Sequence, residues 1–247
     1  MLIILFVGVI LAGLISEIFS KKFISYKSVI ITFSVSIVLA LICIHILPEI
    51  FTSSVGKKTG LFILLGFLLQ ILLELMSKGI EHGHVHYNGS ISKHQLLIIF
   101  LGLSIHSFIE GIPLNNFEAT ETLHQHNVYE KNQFSLIYFL IIIVHKLPIA
   151  AILIFFLNTI NTKKTIKFTL LIIFAATSPL GALFGKNILG IFFLSEWSIN
   201  FLAISTGMLL HITTVIIFED HHNSKNKIKN ILSIAAGITT GILLFSF

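Results

Sequence analysis

The sequence predicts an all-α integral membrane protein, one polytopic domain over residues 1–247 with about eight transmembrane helices. Three observations predict it. Hydrophobic residues make up 55% of the chain and charged residues only 11%, where a soluble protein carries about 25% charged residues. Mean hydropathy is +0.97. The apolar residues also gather in runs of the roughly 20 residues that a helix needs to cross the hydrocarbon core. These runs fall near 2–20, 28–50, 59–79, 95–115, 134–158, 168–186, 199–218 and 229–247.

The first run is apolar from Met1, with no basic residue ahead of it and Lys21 and Lys22 behind it. It reads as a first membrane helix rather than a signal peptide. The second run closes on His45-Ile46-Leu47-Pro48-Glu49, and the third carries Glu74 after Leu72-Leu73. The fourth holds His106, Ser107, Glu110 and Pro113; the fifth holds His145, Lys146 and Pro148. The sixth contains Ser178-Pro179-Leu180-Gly181-Ala182, and His211 lies inside the seventh. Residues 188–194 are apolar but too short to span, and are expected at the interface.

The loops give an orientation. Eleven lysines fall in the odd-numbered loops (Lys21, Lys22 and Lys27 in the first, for example) and four in the even-numbered ones. The excess of positive charge on cytoplasmic loops then puts both termini outside the cytosol, in a plasma or organelle membrane. All sixteen basic residues are lysine, which an AT-rich coding genome explains. Because the lysines are scattered among short loops, the net charge of +5 gives no reason to expect nucleic-acid binding. Cys43 is the only cysteine, so no intramolecular disulfide can form and the redox compartment stays open.

Ionisable groups at the centre of a membrane helix cost about 2.5–3.5 kcal/mol each on insertion scales, so those that occur need a reason. His106 and Glu110 are four apart, about 40° around a helix and one turn above each other. With His145 from another run they form an imidazole–carboxylate–imidazole set able to bind a divalent transition metal. The bland alternative is that these groups pair to pin helices together. Pro113 and Pro148 argue against it, each standing three residues after one of these groups. A proline in a helix frees a backbone carbonyl, which is tolerated where backbone lines a cavity. Ser107 and Lys146 add polar neighbours to the site.

The remaining polar positions carry two readings each. His45 and Glu49 are either helix-end residues at the interface or a way in. Glu74 is a deeper acid, though its helix runs on to Lys78, and His211 either lines a pathway or bonds a neighbouring carbonyl. In the third loop, His82, His84 and His86 alternate, so an extended backbone puts them on one side as a weak metal-capturing strand; a plain solvated loop is the other reading. The fourth loop carries Glu118, Glu121, His124, His126 and Glu130. His221 and His222, beside Glu219 and Asp220, are expected to face water in the seventh loop.

Taken in order, these residues resemble the ZIP (Zrt/Irt-like) family of divalent-metal transporters. His106-Ser107-x-x-Glu110-Gly111 is similar to the family's fourth-helix signature, and His145-Lys146 to the opening of its fifth-helix signature. His45 to Glu49, Gly66-Phe67 with Glu74, the histidine-bearing third loop and Ser178 to Ala182 also match. The resemblance implies eight helices, both termini outside and a metal site between the fourth and fifth helices, with His106, Glu110 and His145 as ligands. It further implies movement of Zn²⁺, Fe²⁺ or Mn²⁺ toward the cytosol, often by homodimers. Many members have an acid where Ile149 stands, and further ligands where Ser107 and Lys146 stand. The His-Ser and His-Lys pairs look like a branch that keeps a single metal.

Two other functions compete. An intramembrane metal-dependent hydrolase could use the same three ligands, but His-Glu-x-x-His and Gly-x-Ser-x-Gly are absent and the sole aspartate is Asp220. A non-transporting metal sensor on a ZIP-like frame is the other, suggested by Ile149. The metal itself stays open between Zn, Fe and Mn, since imidazole plus carboxylate suits all three.

Overall fold

The structure is a computed structural model that describes residues 1–52, 57–80, 92–114, 128–189, 195–223 and 227–245. Among the described residues every regular element is helical. They are α1 (Leu2–Ile18), α2 (Ser20–Leu41), a π-turn (Ile42–Ile46) leading into α3 (Leu47–Thr52), α4 (Lys57–Ser77), α5 (Lys93–Gly111) and α6 (Val128–Thr159). Then come α7 (Lys164–Phe184) with a second π-turn (Gly185–Leu189), α8 (Ser195–Asn223) and α9 (Lys227–Phe245). Because α2, the π-turn and α3 run on as one column, the described residues form eight columns. Seven are long and apolar enough to cross a membrane. The eighth, α1, has 17 residues and reaches about 25 Å at ~1.5 Å per residue. The chain is a multi-pass membrane protein.

Several ends run further than composition suggests. Only Phe19 separates α1 from α2, so Lys21, Lys22 and Lys27, expected in a loop, lie on α2. Likewise α8 continues through residues 219–222, which were expected in the seventh loop. Lys167 also leaves its expected loop for the start of α7, where it is buried. There its ammonium meets the Glu17 carboxylate of α1 and donates to Asn158 Oδ1 of α6 at 2.7 Å. Asn158 in turn donates to Glu17 Oε2 at 2.7 Å, fastening three helix ends together. The start of α5 is fixed by a capping box: Gln95 N–H donates to Ser92 Oγ at 3.2 Å, and Ser92 N–H to Gln95 Oε1 at 3.1 Å. The third-loop histidines His82, His84 and His86, the acidic stretch from Glu118 to His126, and residues 190–194 lie outside the described residues.

The helices pack chiefly in pairs: α1 with α6, α2 with α9, α4 with α8 and α5 with α7. Lipid tails are as apolar as the helices, so close backbone contact and buried polar bonds must hold such pairs. The α5–α7 pair meets that demand through two glycines. A Cβ on Gly111 would collide with the Ser178 carbonyl, and one on Gly181 with that of Phe108. The approach lets Ser178 Oγ donate to the Ser107 carbonyl at 2.6 Å, next to His106.

Two prolines shape the same region differently. Pro148 lies inside α6 and has no N–H for the carbonyl of Val144, four residues back. Ser34 of α2 supplies the missing donor, its Oγ lying 2.6 Å from Val144 O. Pro113, expected to interrupt a helix, instead follows the end of α5 in a short 3₁₀ turn, as a helix generally stops before the residue preceding proline. The Glu110 carbonyl, left at that helix end, accepts from Tyr138 OH of α6 at 2.8 Å.

Candidate metal centre

His106 and Glu110 lie one turn apart on the buried face of α5, and α6 brings His145 to them. The three are 2%, 0% and 2% exposed, so bulk water contributes almost nothing to their solvation. His106 Nε2 is 3.0 Å from Glu110 Oε1, and His145 Nε2 is 3.6 Å from the same oxygen. The imidazole centroids are 5.9 Å apart with the rings at 74°, edge to face. One ligand atom from each residue falls within 4.8 Å of the others. A buried carboxylate demands compensation. Among the described residues neither Glu110 oxygen makes a hydrogen bond of acceptable geometry. The acid and two ring nitrogens are thus aimed at a common point, where a divalent cation would draw on lone pairs from all three.

Three groups around this set orient it. Gln70 of α4 is fully buried and its Oε1 lies 2.7 Å from His106 Nδ1. Tyr138 OH, besides holding the Glu110 carbonyl, lies 2.7 Å from Ser205 Oγ of α8. On the other side, Lys146 is 1% exposed and its ammonium donates to Ser107 Oγ. That hydroxyl also bonds Thr177 Oγ1 and sits 3.4 Å from Ser178 Oγ, both on α7. The Lys146 Nζ lies 5.1 Å from the centroid of the Phe174 ring, a cation–π contact. Ser107 and Lys146 are therefore tied to each other and to α7. Ile149 is buried in the hydrophobic core, beside His145 in a narrow apolar cleft.

Of the other sequence candidates, His45, Glu49, Glu74 and His211 stay outside the converging set, which among the described residues is confined to His106, Glu110 and His145. Glu74 and His211 meet each other instead, His211 Nε2 lying 2.6 Å from Glu74 Oε2 across α4 and α8. Phe67 packs edge-on against His211, centroids 4.8 Å apart. Since Glu74 follows Gln70 by four positions, the pair sits about 6 Å further along α4. His45 lies in the π-turn and Glu49 on α3; such turns often mark functional positions. Sequence reasoning missed Gln70, Tyr138, Thr177 and Ser205. For Gln70 a signal existed: an amide alone among leucines, one turn before Glu74 and so on the same helix face.

A family model described as ZIP zinc transporter matches residues 84–247, about two-thirds of the chain. The chain belongs to the ZIP zinc transporter family. The matched stretch contains α5 to α9, and with them His106, Glu110, His145 and His211. The helices that carry His45, Glu49, Gln70 and Glu74 precede it. No curated protein matches the chain. As a ZIP transporter the protein moves divalent metal ions across a lipid bilayer.

Proposed function

We propose that this ZIP transporter carries one divalent ion at a time, Zn²⁺ before Fe²⁺ or Mn²⁺, through the His106–Glu110–His145 site toward the cytosol. The observation that carries the reading is the convergence of two imidazoles on one buried carboxylate. Three protein ligands with a fourth position open for water suit Zn²⁺. They also leave an ion able to depart, which a closed four-ligand structural site does not. Ferrous and manganous ions take the same donors less tightly by the usual affinity order.

A single ion follows from the neighbours. Ser107, which could have served a second metal, accepts from Lys146 and bonds Thr177. An ammonium about 4 Å from a dication would add repulsion of about 8 kcal/mol at an effective dielectric of about 20, twice the figure for unit charges. Glu74 and His211 extend the polar line along α4 toward the third loop, whose His82, His84 and His86 would receive the ion on the cytoplasmic side. The lysine excess in that loop and the other odd loops supports this direction. His45 and Glu49 are the corresponding candidates for entry.

Reconstituted protein in sealed liposomes should take up Zn²⁺ down its gradient, with Fe²⁺ and Mn²⁺ competing at higher concentration. Lipid and amide hydrolysis, assayed on the same sample, should stay at background. Hydrolysis without uptake would replace the transporter reading with the hydrolase one. Stoichiometric metal binding without uptake would favour a sensor.

A further inference from the structure

We infer that Gln70 is a positioning residue for metal binding: its amide oxygen holds the proton of His106 on Nδ1, so that Nε2 presents its lone pair to the ion. The inference rests on His106 being a ligand. An amide oxygen can only accept a hydrogen bond, and Gln70 Oε1 stands 2.7 Å from His106 Nδ1. With the amide oxygen turned to the ring in this way, the pair bonds only in the tautomer that carries the proton on Nδ1. The other ring nitrogen, Nε2, is the atom that faces Glu110, 3.0 Å from Oε1.

Ligating histidines commonly donate their second N–H to a carbonyl or carboxylate, which fixes both tautomer and ring angle. For His106 the partner comes from the neighbouring helix α4. The choice of an amide over a carboxylate also matters. A glutamate at position 70 would add a second buried negative charge beside Glu110 and hold a dication more tightly. Gln70 orients the ligand without that charge, which suits an ion that must leave.

Gln70 also lies on a different helix from each ligand, since His106 and Glu110 are on α5 and His145 on α6. The ligand is thus correctly presented only while α4 and α5 keep their present register. A shift of α4 against α5 would release the imidazole from its orienting bond and weaken the site without moving any ligand residue directly.

The test compares Gln70→Met and Gln70→Glu for zinc uptake in proteoliposomes, with His106→Ala beside them. If Gln70 merely fills space, methionine keeps the volume and polarity of a core residue and should be harmless, whereas a buried glutamate should be the damaging change. Positioning reverses that order. Gln70→Met should raise the apparent KM for Zn²⁺ by about 10–100-fold, the usual size of a lost ligand-orienting bond, with the amount of inserted protein unchanged. Gln70→Glu retains an acceptor and should keep KM at or below that of the unaltered protein, while lowering the maximal rate as release slows. A Gln70→Met variant with unaltered KM overturns the inference, as does one that fails to reach the membrane, since either outcome makes the residue a packing element. If His106→Ala still transports at the full rate, the metal-site reading itself fails, whatever the Gln70 variants do.

Discussion

Each of the three converging side chains can be removed alone, and the size of the loss is bounded from below. Losing a group that only orients a ligand costs about 10–100-fold in metal affinity. Losing the ligand should cost more, because 0–2% exposure leaves little room for water to take its place. His106→Ala, Glu110→Ala and His145→Ala should each bring zinc uptake into liposomes to near background at micromolar Zn²⁺; a well-inserted Glu110→Ala protein with full uptake would sink the proposed site. The Ser107–Lys146–Thr177 contacts lead to a second expectation at this scale, one tightly bound zinc per chain. Equilibrium dialysis with metal analysis should be run on a variant with His82, His84 and His86 replaced by alanine, so that loop binding does not enter the count. Two tight ions per chain would mean that Lys146 yields its place to metal. The same variant should retain substantial uptake, since His106, Glu110 and His145 converge by themselves. In the sequence, His106 and Glu110 could be paired from spacing alone, because four residues on a helix fix a shared face. His145 could be grouped with them by residue type, as an imidazole in a second apolar run, and by resemblance, but not by spacing, since no periodicity says which helices meet. Gln70 went unread for the same reason: its partner is 36 positions away.

At the scale of the helix, the turn of α6 that holds Pro148 depends on a residue of α2. Ser34 Oγ donates to the carbonyl that Pro148 leaves without a partner, one residue before His145. In Ser34→Ala that part-buried carbonyl would lose its donor, and interhelical hydrogen bonds in membrane proteins are worth about 0.6–1.7 kcal/mol. The variant should therefore unfold a few degrees lower in detergent and take up zinc more slowly, through tilt of the turn that carries His145. Ser16→Ala is the control. Ser16 Oγ donates at 3.0 Å to the carbonyl of Ala151, which the α6 ladder already serves, so its removal should leave uptake unchanged. Equal effects of the two substitutions would mean that the proline-freed carbonyl is not special. A larger effect is expected at the α5–α7 contact, where any side chain at Gly181 meets the Phe108 carbonyl. Gly181→Leu should force the two helices apart and abolish stable insertion. The prolines and glycines were visible in the sequence as helix punctuation. Their different uses were not, because spacing does not tell a proline that ends a helix from one carried through it: Pro113 follows the end of α5, whereas Pro148 lies within α6.

For the whole molecule, composition sufficed to find the eight columns, because a chain with 11% charged residues has little to place in a membrane but apolar helices. It could not set their ends. Water beyond the bilayer tolerates charged residues on a continuing helix, so α2 begins at Ser20 and α8 continues to Asn223, past the points where hydropathy falls. Orientation depends on a different property, the distribution of lysine. The loop between α4 and α5 and the loop between α6 and α7 belong to the lysine-rich set, and the loop between α5 and α6 to the poor one. If lysine excess marks the cytoplasmic side, the third-loop histidines receive metal inside the cell and the acidic fourth loop meets it outside. Cys43, the only cysteine, is exposed on its helix, so Cys43→Ser gives a cysteine-free background with little disturbance of packing. Single cysteines placed at Asn88 and at Asn127 then report the two sides separately. In intact cells an impermeant maleimide should label the Asn127→Cys protein and spare Asn88→Cys, with both labelled once the membrane is opened. The reverse pattern would place the histidine loop outside, making it a collector rather than a receiver of metal, and would turn the proposed direction of transport around while leaving the His106–Glu110–His145 site as it stands.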